Sequence, residues 1–365
     1  METYGGAERV TEEFARAFPD APVYAVLGRP SVARRMGVES RFTSVLAPRP
    51  RILRHYRLLA PLFPTIVDAA ALPEADVLLS SSYGFAHRFR TANRAPQVCF
   101  CHSPLRFAWT MTDHYRDQIA SRGLASGAFR ALAAAMRHSD RKASARVDRY
   151  LTQSPFVADQ IRRFYGRDAE VLGAPVDCEV FRPSDGPDGG YYLLCGRIVE
   201  PYKRVSVAVE AFRRLPERLV VAGDGPALPE LRRSAPPNVE FLGHLEDEAL
   251  VEVMQRCTAA LFPSRDDFGL IPVEVMACGR PVLAYAEGGA LHTVRPGITG
   301  EFFREQTADA VAAAVTSFDP GAYDRQAIRE HALHWGSERF RARVVAAVEA
   351  MVASSGGAAA ATRSG

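Results

Sequence analysis

The chain has 365 residues, 47% hydrophobic and 24% charged, a globular composition too long for one core, since single cores rarely grow past about 250 residues. No apolar run approaches the roughly 18 residues of a membrane span, and no secretory leader pattern opens the sequence, so it reads as a cytoplasmic protein. A formal charge of +3 is too small for a nucleic-acid face, and six scattered cysteines without paired spacing speak for buried thiols and against a metal site.

Short apolar or β-branched runs alternate with amphipathic stretches from end to end, the pattern of α/β units with parallel sheets. In chain order, a helical spacing covers residues 7–18, and strands are expected at 23–27, 77–80, 98–102 and 150–152. A Pro- and Gly-rich run at 173–190 reads as a hinge between a first domain, 1–172, and a second, 191–336. In the second, strands are expected at 191–195, 219–222, 239–242, 259–262 and 281–285, with helices at 205–215 and 246–255. A last helical pattern, 337–352, could cross back to the first domain, and the small, polar residues 353–365 should be disordered.

Chemistry concentrates where expected strands end. Directly after 191–195 come Gly196, Arg197 and, six positions on, Lys203, a cationic pair before a helix start; this suits a diphosphate or, equally, a solvated charged loop. Lys203 is one of only two lysines beside 43 arginines, so a position that kept Lys is one where the guanidinium fork does not serve. After 259–262, Asp266 and Glu274 stand eight apart around Phe268, Gly269 and Leu270. Amides there can meet donor oxygens, and the carboxylates can accept from paired sugar hydroxyls; the alternative is acids answering a helix dipole.

Together with Gly5-Gly6-Ala7-Glu8-Arg9-Val10, Cys101-His102-Ser103-Pro104-Leu105-Arg106, Gly223-Asp224-Gly225-Pro226, Phe241-Leu242-Gly243 and Gly279-Arg280-Pro281-Val282, these segments resemble family 4 of the retaining glycosyltransferases, closest in motif to GDP-mannose-dependent mannosyltransferases. The resemblance implies a GT-B fold, two Rossmann-like doubly wound α/β domains facing across a cleft. It also implies transfer of mannose or a related hexose from a nucleotide diphosphate sugar to a glycan, lipid-linked or small-molecule acceptor, without a metal or other cofactor.

Carried over residue by residue, it implies Arg197 and Lys203 on the donor diphosphate, with the turn at Gly5 and Gly6 and the segment Phe268, Gly269, Leu270 beside it. Glu274 would bind the ribose, and Gly223, Asp224, Gly225, Leu242 and Gly243 would line the nucleotide pocket. Asp266 would face the sugar, and His102 would touch it from the other domain. Three departures stand out. Asp266 replaces the family's first Glu, His292 stands where relatives show Glu, and the strand that relatives place before the Gly-Gly turn is missing, which points to a misplaced start. A non-catalytic scaffold of the same fold is the rival reading. The basic, apolar stretch 51–63 is either a peripheral membrane contact or a helix with solvated arginines.

Overall fold

The computed structural model describes residues 5–47, 49, 59–112 and 124–363. Most of the basic stretch, 51–58, and the residues before Gly5 lie outside the described residues. The chain divides into two compact units, Met1–Gly173 with Phe340–Gly365, and Ala174–Arg339.

The first unit opens on the helix Gly6–Ala17, whose buried Val10 and Phe14 set its inner face. The strands are β1 (Val23–Leu27), β2 (Phe42–Leu46), β3 (Ala71–Leu72), β4 (Leu78–Ser82), β5 (Arg90–Thr91), β6 (Gln97–Cys101), β7 (Arg149–Thr152) and β8 (Ala169–Val171). They form a four-stranded sheet of order β4-β6-β7-β8 and two two-stranded sheets, β1-β2 and β3-β5, all parallel. Central β6 is buried at every position, as a parallel strand covered on both faces must be. The long helix Leu124–Ser144 and the helix Pro155–Tyr165 follow β6 and β7.

The second unit carries β9 (Tyr191–Cys195), β10 (Arg218–Ala222), β11 (Val239–Gly243), β12 (Ala259–Phe262), β13 (Val282–Tyr285) and β14 (Gly300–Phe303) in one parallel sheet of order β11-β10-β9-β12-β13-β14. Its strands alternate residue by residue between two cores. Leu193, Cys195, Val220, Ala222, Ala260 and Phe262 point into one, and Tyr192, Leu194, Leu219, Val221, Ala259 and Leu261 into the other. The chain winds from β9 to β11 on one side, then returns across β9 to lay down β12 on the other. The sheet order therefore reverses between β9 and β12, the switch point at which open α/β sheets bind ligands.

Residues 174–190, expected as a hinge, belong to the second unit. Val176 donates its amide to Trp335 O at 2.9 Å, while Asp188 pairs with Arg280 at 2.9 Å and accepts from Thr258 Oγ1 at 3.0 Å, so side chains absent from the Gly/Pro pattern hold the run down. The final helix runs Ser337–Arg363. Its Phe340, Val344 and Ala347 are buried with Val10, Phe14, Phe100 and Leu151, which makes it an integral layer of the first unit. No helix among the described residues is long and apolar enough to cross a membrane.

Candidate donor site at the sheet switch point

Residues 196–204 leave β9 and fold over the neighbouring strand end. Gly196 N donates to Ala222 O at 3.0 Å and Ile198 N to Asp224 O at 2.9 Å, while Gly223 N donates to Gly243 O at 2.7 Å. The loops after β9, β10 and β11 are thereby stitched edge to edge. The approach is so close that a Cβ on Gly223, at φ +146°, would lie 1.9 Å from Gly196 O, and one on Gly225 would lie 2.2 Å from Ile198 O. These glycines are there for backbone proximity. With Asp224, which is exposed, and Leu242, they sit at the carboxyl ends of β10 and β11.

The anion-favouring helix start expected after Lys203 is already occupied. The helix Val205–Ala211 follows Arg204, whose φ is +54°, and its Ser206 amide donates to Glu200 Oε1 at 2.8 Å. Of the two cationic side chains expected to serve a ligand here, Arg197 is exposed and Lys203 is partly buried.

Lys203 does not stand alone. Its Nζ lies 2.6 Å from Asp266 Oδ2, across 63 residues of sequence, with side chains 19% and 17% exposed. Sequence reasoning gave these two residues to different parts of a ligand; the fold joins them. The juxtaposition follows from topology, because Lys203 lies in the loop after β9 and Asp266 in the loop after β12, on either side of the switch point. Asp266 Oδ1 is also buried and meets no hydrogen-bond donor among the described residues.

The segment bearing Asp266 is clamped. Gly289 N donates to Asp266 O at 2.8 Å, Arg265 pairs with Glu287 at 2.9 Å, and a Cβ on Gly288, at φ +70°, would approach Asp266 O to 2.5 Å. A Cβ on Gly289 would lie 2.2 Å from the Cα of Phe268. The Gly288-Gly289 pair therefore fixes the backbone at Asp266, a role that a Gly-Gly dipeptide after an apolar run signals only as a turn. Phe268 is itself buried, its ring 6.2 Å from that of Trp335, so the side chain is an anchor and only its backbone is available to a ligand. Gly269, at φ +84°, turns the chain into the helix Leu270–Ala277.

Glu274 lies in that helix and is 3% exposed. The Cys195 thiol at the end of β9 registers it. Burial first, and then the Glu274 carboxylate, push that thiol well above its ordinary pKa, with Lys203 opposing. Lys203, Asp266 and Glu274 thus share one neighbourhood in the second unit. His292, half-buried, packs edge-on against Trp335 at 5.9 Å, and burial pushes its pKa down.

Gly5, Gly6 and His102 belong to the first unit. Gly5 is extended, at φ −155°, and caps the helix Gly6–Ala17. His102 follows β6 and is 6% exposed. Its Nε2 lies 2.9 Å from Ser81 Oγ, its amide donates to Ser82 O at 2.8 Å and its carbonyl accepts from Gln153 Nε2 at 2.9 Å. Burial pushes its pKa down to about 4, the Arg106 guanidinium adding to that and Gln153 opposing, so the ring is neutral near pH 7. Ser81 and Gln153 went unnoticed in the sequence, where they are an ordinary Ser and Gln at strand ends.

A parallel α/β architecture in two units, with a charged pair at the switch point of one, is that of the GT-B fold. Solved structures agree. Anabaena HepE in complex with UDP and glucose superposes with a TM-score of 0.69 at 16% identity, over 96% of this chain and 97% of that one. The sucrose-phosphate synthase of Thermosynechococcus elongatus does so with 0.64 at 18% identity, over 85% and 81%. Two sequence-family models match, Glycosyltransferase Family 4 over residues 4–180 and Glycosyl transferases group 1 over residues 190–318. By these matches the chain is similar to glycosyltransferases of the family 4 type, on the GT-B fold.

Among curated relatives, the D-inositol 3-phosphate glycosyltransferase of Actinosynnema mirum is 34% identical over 189 residues, 43% of this chain and 45% of that protein. The protein of the same name from Kribbella flavida is 31% identical over 231 residues, 53% and 54%. The chain spans about half the length of the curated relatives it matches.

Proposed function

We propose that this protein is a glycosyltransferase that takes a hexose from a nucleoside diphosphate sugar and passes it to a hydroxyl acceptor. The observation that carries the reading is the meeting of Lys203 and Asp266 at the switch point between β9 and β12, with Glu274 buried in the helix that follows Asp266. Arg197 and Lys203 hold the diphosphate, Glu274 accepts from the ribose hydroxyls, and Asp266 accepts from the hexose. The glycine-stitched ends of β10 and β11, with Leu242, receive the nucleoside.

As the glycosidic bond breaks with retention through an oxocarbenium-like state, negative charge grows on the leaving diphosphate. Cations already in place stabilise that charge without reorganising, the largest contribution in many enzymes. No residue of this set needs a metal to act. His102, neutral at pH 7, serves as a hydrogen-bonding group and not as a charge. The forms Tyr202-Lys203-Arg204 and Cys101-His102-Ser103-Pro104 favour mannose from GDP-mannose. HepE, crystallised with UDP and glucose, and the relatives named for D-inositol 3-phosphate make UDP sugars and an inositol phosphate acceptor the alternatives to include.

A thermal-shift and transfer screen over GDP-mannose, UDP-glucose and UDP-N-acetylglucosamine, with and without inositol phosphate, tests the proposal. Stabilisation by at least one nucleotide sugar and release of its nucleoside diphosphate are expected. No stabilisation by any of them would refute it, and binding without turnover would favour the scaffold.

A further inference from the structure

Asp266 and Lys203 form a contact that a bound diphosphate would have to break. The carboxylate places Oδ2 at 2.6 Å from the ammonium, the position a phosphate oxygen would take, and the backbone that carries it is held in place. Its own backbone carbonyl is held by Gly289 N at 2.8 Å, and the left-handed Gly288 is packed against the same carbonyl. The second oxygen, Oδ1, is buried without a donor. Such an atom costs free energy until a donor reaches it.

We propose that Asp266 is a specificity-determining residue that makes the site prefer the intact nucleotide sugar over the free nucleoside diphosphate. The inference rests on the donor reading given above and deepens it. In the empty site Asp266 is the anion on Lys203. A nucleoside diphosphate alone displaces it, leaving a clamped, half-desolvated carboxylate with no partner beside the incoming negative charge. A nucleotide sugar displaces it too, but supplies hexose hydroxyls as donors for both carboxylate oxygens. The carboxylate changes partner instead of losing one. After transfer the sugar departs, the carboxylate is again without donors, and return of Asp266 to Lys203 helps expel the product diphosphate.

Isothermal titration of the full chain with UDP, GDP, UDP-glucose and GDP-mannose, for wild type, Asp266→Asn and Asp266→Ala, tests this. Both variants remove the competing charge, and Ala also removes any contact to the sugar. For the nucleotide that wild type binds, each variant is expected to bind the free diphosphate about 10-fold tighter or more, the scale of one charge-assisted hydrogen bond. The preference for the sugar form should shrink by a similar factor, and product inhibition should deepen. Wild-type binding of a nucleotide sugar with unchanged or weaker diphosphate affinity in the variants would overturn this inference and leave the donor reading standing. Absence of binding by all three proteins to all four ligands would overturn both. Thermal melts identify a variant that fails to fold, in which case the other decides.

Discussion

Lys203 Nζ and Asp266 Oδ2 lie 2.6 Å apart although 63 residues separate them, and strand order, β9 beside β12, is what brings their two loops together. Both side chains are mostly buried, so removing either leaves a charge with its partner gone. Lys203→Ala and Asp266→Ala should each lower unfolding free energy by about 1–3 kcal/mol. The double variant should lose less than the sum, with a coupling of roughly 0.5–3 kcal/mol in a denaturant double-mutant cycle. Additive losses would mean that the pair contributes no interaction energy.

Glycines in the stitched loops should rank by what a Cβ would strike. Gly243 has φ +75° and open space, so Gly243→Ala should cost about 1–2 kcal/mol of left-handed strain. Gly223→Ala and Gly225→Ala put a methyl against backbone oxygens of the neighbouring loop and should cost more, with loss of nucleotide binding. Denaturant midpoints would show the ranking, and equal effects at all three sites would contradict the close-approach account.

His102 makes stability depend on pH in a definite direction. Its folded pKa is about 4 against an ordinary 6.5, so between those values the unfolded chain binds a proton that the folded chain does not. Stability from this residue is complete above pH 6.5 and is lost as pH falls toward 4, by an amount of order 3 kcal/mol. His102→Gln, which cannot titrate, should flatten the pH dependence of the unfolding free energy in that window. An unchanged slope would show that the ring is not buried neutral.

The terminal helix should prove structural. Phe340 stacks on Phe14 at 6.0 Å and meets Phe100 edge-on at 5.7 Å, all three buried. Phe340→Ala should destabilise the first unit by about 3–5 kcal/mol, read as the shift of its unfolding transition.

Strands β9, β10, β12 and β13 are legible in the sequence because each is a mostly buried apolar run, and such runs need no alternation to be recognised. β14 escaped for the reason it exists. Its first residue is Gly300, which breaks an apolar run, yet a Cβ there would lie 1.9 Å from Val282 O, so only glycine permits the pairing with β13. β2 and β8, half-exposed edge strands, carry too weak a pattern to read. Arg197, Lys203 and Asp266 were legible as candidates because each lies near a strand end, and Glu274 through its spacing from Asp266. That Lys203 and Asp266 hold each other was not, since it depends on which strands become neighbours. Ser81 against His102 is of the same kind, set by the register of β4 on β6.

The central claim is that the switch-point residues of the second unit hold the diphosphate of a nucleotide sugar, and equilibrium binding to the purified chain tests it most directly. Wild type should bind UDP-glucose, GDP-mannose or a close analogue, and Lys203→Ala should weaken that binding by roughly 10- to 150-fold, the equivalent of one charge-assisted hydrogen bond. Lys203→Arg should recover only part, and Lys142→Ala, on the exposed side of the helix Leu124–Ser144, should change nothing. Equal affinity in wild type and Lys203→Ala would contradict the account.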